Sequence, residues 1–162
     1  GRQYWDAVRA ISAGRVECLG REHRGATDAV NALLNYGYGI LYSQVWGAVL
    51  NAGLEPFAGF LHVDRPGKPS LILDMVEEFR QPVVDRTVIA YVNLGTSIGM
   101  KEGLLDADTR KSIADKIIER LMATEPYQGK QYQIRSIIQM QARRLAGFLR
   151  GVGEYKAFSF KW

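Results

Sequence analysis

A chain of 162 residues, 47% hydrophobic and 23% charged, is long enough to bury a sizeable core in one compact domain. No apolar run approaches the ~18 residues that suggest a bilayer span, so the chain reads as soluble, and a single cysteine, Cys18, argues against a disulfide framework or a cysteine-rich zinc site and fits a reducing cytoplasm. A formal charge of +4 and a pI near 9.3 favour a polyanionic partner without identifying one.

The start, Gly1-Arg2-Gln3-Tyr4-Trp5, has neither an initiator Met nor a signal-peptide pattern, which reads as a beginning inside a longer protein. A short amphipathic helix is expected from about Arg2 to Ser12, followed by a basic connector with Arg15, Arg21, His23 and Arg24. Thr27 or Asp28 then offers an N-cap for a long helix to Asn51, with Gly53 as its stop. Val30, Leu33, Leu34, Leu41, Val45 and Val49 recur in it at helical spacing, and Tyr36, Tyr38, Tyr42 and Trp46 make it aromatic, most of these rings reading as core.

Leu54 to Pro69 holds Pro56, Pro66, Gly67 and Pro69 and reads as a loop with one extended stretch at Phe57 to His62. Ser70 is expected to cap a helix from Leu71 to Phe79, and Pro82 to kink or divide it before it continues from Val83 to Leu94 and stops at Gly95. Asp106 or Asp108 opens the next helix, to about Thr124. Lys130 to Arg150 reads as the last long helix, with a short aromatic tail from Val152 to Trp162. The fold class expected is all-α, a single multi-helix domain over residues 1–162.

Candidate chemistry concentrates on the helix after Ser70. At 100° per residue Ile72, Met75, Val76 and Phe79 form one apolar stripe, while Asp74, Glu77 and Glu78 share the other side. Such carboxylates repel one another unless solvated or bridged by a cation. His62, on the preceding loop, stands where a Pro/Gly-rich turn could return it over this helix. Imidazole plus carboxylates suits Mg²⁺ or Mn²⁺, which can polarise a phosphodiester and lower the pKa of an attacking hydroxyl.

Two basic clusters point to phosphate. Arg21, His23 and Arg24 lead into a helix N-terminus. In the last helix Arg135, Gln139, Arg143 and Arg150 run along one edge of a buried side made by Ile134, Ile138, Leu145 and Leu149. There is no Gly-rich phosphate loop, Cys-x-x-Cys pair or Gly-x-Ser-x-Gly elbow, and Gly95-Thr96-Ser97 is a helix end.

Gly20-Arg21-Glu22-His23-Arg24-Gly25-Ala26-Thr27-Asp28-Ala29-Val30-Asn31 with Ala32 to Gly39, the block Ala52-Gly53-Leu54-Glu55-Pro56-Phe57-Ala58-Gly59-Phe60-Leu61-His62, and Ser70 to Arg80 with Val83-Val84-Asp85-Arg86 together resemble the helical catalytic domain of the CRISPR spacer-acquisition integrase family. Tyr155-Lys156-Ala157-Phe158 and Trp162 share the family's look. The resemblance covers nearly the whole chain, and three linked blocks in order are far more specific than any one of them.

The resemblance implies a metal-dependent DNA integrase and endonuclease of the prokaryotic cytoplasm. Such an enzyme joins 3′-hydroxyl ends of captured double-stranded DNA to a repeat array by direct transesterification. It implies a small bridging partner protein and a homodimer made largely through an N-terminal β-rich domain, which is absent from this sequence. Carried over by position, His62 and Glu77 are metal ligands for Mg²⁺ or Mn²⁺, and Asp74 lies beside the metal as the third member of the catalytic set. Arg24 and Asn31 border the site; Arg21, Arg24, Asn31, Arg135 and Arg143 are the candidate DNA contacts.

The family's third ligand, a glutamate just ahead of a segment like Tyr4-Trp5, falls before this sequence begins. Glu17 and Glu22 lie after that segment and do not replace it, so the chain as given is expected to bind metal poorly and to have little activity alone. A non-catalytic DNA-binding or assembly module and a transposon-borne relative of the integrase are the other readings.

Overall fold

The computed structural model describes residues 28–62 and 67–160. Within them the fold is mostly helical, in agreement with the expected class. The first element, α1 (Ala29–Asn51), opens where Asp28 in extended backbone accepts the Asn31 N–H with its side chain, the arrangement that satisfies an orphan amide of a helix start. Gly53 closes it at φ 70°, a left-handed conformation that costs glycine little. Leu33, Leu34, Leu41, Val45 and Val49 are buried. Tyr38, Tyr42 and Trp46 pack against the core from its edge, and Tyr36 is exposed.

No strand forms at residues 57–62; that stretch turns tightly against the next helix, α2 (Ser70–Phe79). Ser70 is the first residue of α2 rather than its cap, and its hydroxyl donates to the Phe57 carbonyl at 2.7 Å. After Phe79 the chain makes a π-helical turn (Arg80–Asp85) and resumes as α3 (Arg86–Asn93). Pro82 is the cause: it has no N–H for the α-helical ladder, and the Arg86 N–H instead reaches back five residues to Gln81. Arg120 donates to the Pro82 carbonyl at 2.8 Å, so the widened turn leaves that acceptor satisfied.

Two small antiparallel hairpins, not anticipated from the sequence, complete the chain. β1 (Met100–Lys101) pairs with β2 (Leu104–Leu105) ahead of α4 (Ala107–Met122), which Asp106 caps; β3 (Thr124–Tyr127) pairs with β4 (Lys130–Gln133) ahead of α5 (Ile134–Leu149). The last helix thus begins four residues later than expected, because Lys130 to Gln133 are spent on β4. Helix α1 lies at the centre, against α2, the π turn, α4 and α5. At Gly37 a Cβ would meet Val84 Cγ1 at 2.7 Å, so glycine sets how closely α1 approaches the π turn. No helix among the described residues is long and apolar enough to cross a membrane.

Candidate active site

The loop after α1 is drawn onto the first turns of α2. Leu71 N–H donates to the Pro56 carbonyl at 3.1 Å and Gly59 N–H to the Ser70 hydroxyl at 2.9 Å. A Cβ on Gly59 would stand 2.6 Å from the Ser70 carbonyl carbon and 2.8 Å from Asp74 Oδ2. Both are below van der Waals contact, so glycine is required for this approach.

The loop then wraps the Asp74 carboxylate. Asp74 Oδ2 accepts the Phe60 and Leu61 N–H groups at 2.5 and 2.9 Å, and Oδ1 accepts the His62 N–H at 3.1 Å and His62 Nδ1 at 2.6 Å. Burial by itself would raise the Asp74 pKa, but these donors, the Leu61 and Phe60 amides foremost, hold it below the ordinary carboxylate value. An ionised Asp74 can only accept, so His62 Nδ1 is the donor of this pair and Nε2 is the ring nitrogen left over.

Glu77 and His62 both line a cavity of about 320 Å³ that also takes in Asn35, Tyr38, Tyr42 and Arg80. Arg80, one turn beyond Glu77, donates through one terminal nitrogen to both Glu77 oxygens at 2.9 and 3.0 Å. Its guanidinium lies over the Tyr38 ring, 5.4 Å from the centroid, a cation–π distance. Tyr38 in turn donates its hydroxyl to the buried Asp85 carboxylate.

Glu78 goes elsewhere. It accepts Gln141 Nε2 at 2.8 Å, the Phe158 N–H at 2.9 Å and the Tyr155 hydroxyl. Burial, reinforced by the bond to Glu78, raises the Tyr155 pKa. Phe158 stacks on Phe79 at 5.3 Å. The acidic side of the helix is therefore divided: Asp74 belongs to the loop, Glu77 to the cavity and Glu78 to the C-terminal tail.

Among the described residues no group of three or more His, Cys, Asp or Glu could hold a metal ion. His62 Nε2 and Glu77 offer two donors, one imidazole and one carboxylate. That set fits Mg²⁺ or Mn²⁺, which accept few protein ligands and keep several waters. Asp74 is committed to the loop and to His62, the place of a carboxylate that orients a ligating histidine.

Of the residues expected to meet DNA, Arg21 and Arg24 lie outside the described residues. Asn31 is fully buried and donates its side-chain nitrogen to Asp28 at 2.7 Å, so it faces the protein and not a surface. Arg135, Arg143 and Arg150 are exposed along α5 as expected, with Arg135 donating to Gln133. Gln139 is turned inward to the Ala48 carbonyl, and Leu149, expected on the buried side, is 50% exposed. Arg80 and Tyr38 were missed as site residues. The spacing of Glu77 and Arg80 signals an ion pair, whereas nothing local links Tyr38 to the cavity.

The family profile for CRISPR associated protein Cas1 matches residues 1–125, which hold all three blocks that carry the resemblance. CRISPR-associated endonuclease Cas1 1 of Archaeoglobus fulgidus is 39% identical over 99% of this chain and 50% of its own length. The Francisella tularensis subsp. novicida protein of the same name is 43% identical over 88% of this chain and 43% of its own. The chain thus spans about half the length of these curated relatives. Among solved structures, a casposase bound to integration product matches with a TM-score of 0.84 at 28% identity, covering 92% of this chain and 47% of that one. A Cas1 protein from Thermotoga maritima, 24% identical, shares the fold with the same TM-score over 93% of this chain and 49% of its own. By its profile match and the order of its motifs, this chain belongs to the CRISPR-associated Cas1 family.

Proposed function

We propose that this domain is the active-site half of a divalent-metal-dependent DNA integrase and endonuclease of CRISPR adaptation, acting on double-stranded DNA in the prokaryotic cytoplasm. The observation that carries this reading is the His62 ring, held by Asp74 at 2.6 Å and sharing one cavity with Glu77. His62 Nε2 and Glu77 would hold Mg²⁺ or Mn²⁺, with a further acidic ligand from upstream sequence. The ion, when bound, polarises the phosphodiester and eases ionisation of the attacking hydroxyl.

The remaining work falls to this chain's own residues. Asp74 keeps the His62 ring in one tautomer and place. Arg80, on the cavity wall, suits an anionic phosphate oxygen. Arg135 and Arg143 follow the phosphate backbone along α5, supplying affinity without base readout. Arg21 and Arg24 would add phosphate contacts, and Asn31 would act from within, bracing the start of α1. The nucleophile comes from DNA: a 3′-oxygen forms a bond to phosphorus as the repeat strand's P–O bond to its own 3′-oxygen breaks. A small bridging protein and a homodimer, expected from the family, would arrange two such sites on one substrate.

The similarity to a casposase solved with an integration product favours strand joining and keeps a transposon-borne role as the second reading. A purely binding or assembly module is the third, and binding indifferent to EDTA and to His62→Ala would favour it. The test is Mn²⁺-dependent transfer of a short duplex into supercoiled plasmid. The samples are this chain, a version extended upstream through the expected glutamate, and that version carrying His62→Ala. Transfer by the unmutated extended version alone is the expected result. Equal transfer by the extended and His62→Ala versions would remove His62 from the site.

A further inference from the structure

We propose that Arg80 is a placeholder cation: without metal it neutralises Glu77, and it must leave that carboxylate before an ion can bind there. The inference rests on the reading of Glu77 as a metal ligand.

Arg80 occupies both Glu77 oxygens, at 2.9 and 3.0 Å, from a side chain only 25% exposed. A divalent ion on Glu77 would lie next to that guanidinium, so the two cations compete for one acid and repel each other. The fold also provides for the displaced guanidinium. Arg80 begins the π turn and Asp85 ends it. In an α-helix residues five apart diverge by about 140°, whereas the wider turn brings them back to one side. That side is where Tyr38 stands, its ring under Arg80 and its hydroxyl on Asp85.

A guanidinium stays charged in a protein, and this one has the Tyr38 ring and the Glu77 carboxylate against it. Once off Glu77, it still has the Tyr38 face and the negative field of Asp85. It therefore stays in the cavity, turned from the ligand toward whatever anion enters. This makes Arg80 a positioning residue whose release accompanies metal loading.

The sign of its effect on metal affinity separates this role from a supporting one. A residue that merely braces Glu77 weakens metal binding when removed; a placeholder strengthens it. The experiment is a Mn²⁺ titration of the version extended upstream through the expected glutamate, following loss of the free-ion electron paramagnetic resonance signal. It compares the parent with Arg80→Gln, Arg80→Lys, Glu77→Gln and the Arg80→Gln/Glu77→Gln pair, each checked for helical content by circular dichroism.

Arg80→Gln is expected to bind Mn²⁺ about two- to fivefold more tightly, the range set by a partly exposed ion pair. Arg80→Lys should fall between it and the parent, and the double variant should match Glu77→Gln. Unchanged or weaker binding by folded Arg80→Gln overturns the proposal; should that variant not fold, Arg80→Lys binding no more tightly than the parent does the same. Binding untouched by Glu77→Gln, or absent from every chain, overturns instead the ligand reading beneath it.

Discussion

The carboxylate of Asp74 accepts the ring nitrogen Nδ1 of His62 at 2.6 Å and its backbone N–H at 3.1 Å, so one acid fixes both where the histidine stands and which nitrogen it offers. Asp74→Asn keeps the volume but turns part of the acceptor into a donor facing amide donors. It should cost about 2 to 3 kcal/mol of stability and weaken Mn²⁺ binding at His62 by about tenfold, in the range for a lost outer-shell partner. Chemical denaturation and Mn²⁺ titration measure the two effects. Full stability with unchanged metal affinity would mean that the loop is held by something else.

The same residue sets an acid limit. The Asp74 pKa in the fold lies below its ordinary 3.8, so its contribution is fully present above that value and is lost as pH falls through the lower, folded value. The stability difference between the parent and Asp74→Asn should hold constant from pH 7 to about 5 and close below about pH 4. Denaturant midpoints measured across this range check it; a gap that widens with acid contradicts the sign.

Glu77 and Glu78 are adjacent in sequence and opposite in role. Glu77→Gln loses a half-exposed ion pair and should alter stability by no more than about 0.5 kcal/mol while abolishing metal binding. Glu78→Gln unsettles a half-buried acceptor of Gln141, Phe158 and Tyr155 and should cost about 1 to 3 kcal/mol with metal affinity retained. Melting and Mn²⁺ titration of the two variants should cross over, and a shared phenotype would contradict the division of the acidic side.

Gly59→Ala puts a methyl group 2.6 Å from the Ser70 carbonyl carbon, which the backbone cannot accommodate without moving. The loop should lift from α2 and its grip on Asp74 should fail. Amide exchange at Phe60, Leu61 and His62 is expected to accelerate at least about tenfold, with little change on α1. Unaltered protection at Phe60 would show that the loop tolerates the group.

Arg135 and Arg143 should contribute to DNA affinity without reading sequence. Replacing either with Ala should weaken duplex binding about equally for unrelated sequences and lower the salt slope by about 1. Fluorescence anisotropy across a salt series tests this, and a sequence-selective loss would assign the residue to base contact instead.

What the sequence disclosed was local or periodic. The N-cap at Asp28, the stop at Gly53 and the apolar stripe of Ile72, Met75, Val76 and Phe79 follow from helix geometry, and the structure buries that stripe. The short hairpins escaped because strands of two and four residues leave no alternation long enough to see. The wheel placed Asp74, Glu77 and Glu78 on one side correctly, but a wheel does not contain the loop that claims Asp74 or the tail that claims Glu78. Tyr38 was legible only as an aromatic on α1, because its tie to Asp85 spans 47 residues and depends on the π turn at Pro82.

The bonds from Tyr155 and Phe158 to Glu78, 77 and 80 residues away, also impose an order on synthesis. A ribosome completes α2, with Glu77 on it, well before it makes the tail that anchors the neighbouring position. The acidic helix acquires this fastening only after residues 155 to 158 have been made. A nascent chain halted short of residue 155 would therefore carry the acidic helix without that fastening, so this helix gains its native rigidity some 80 residues after it is made.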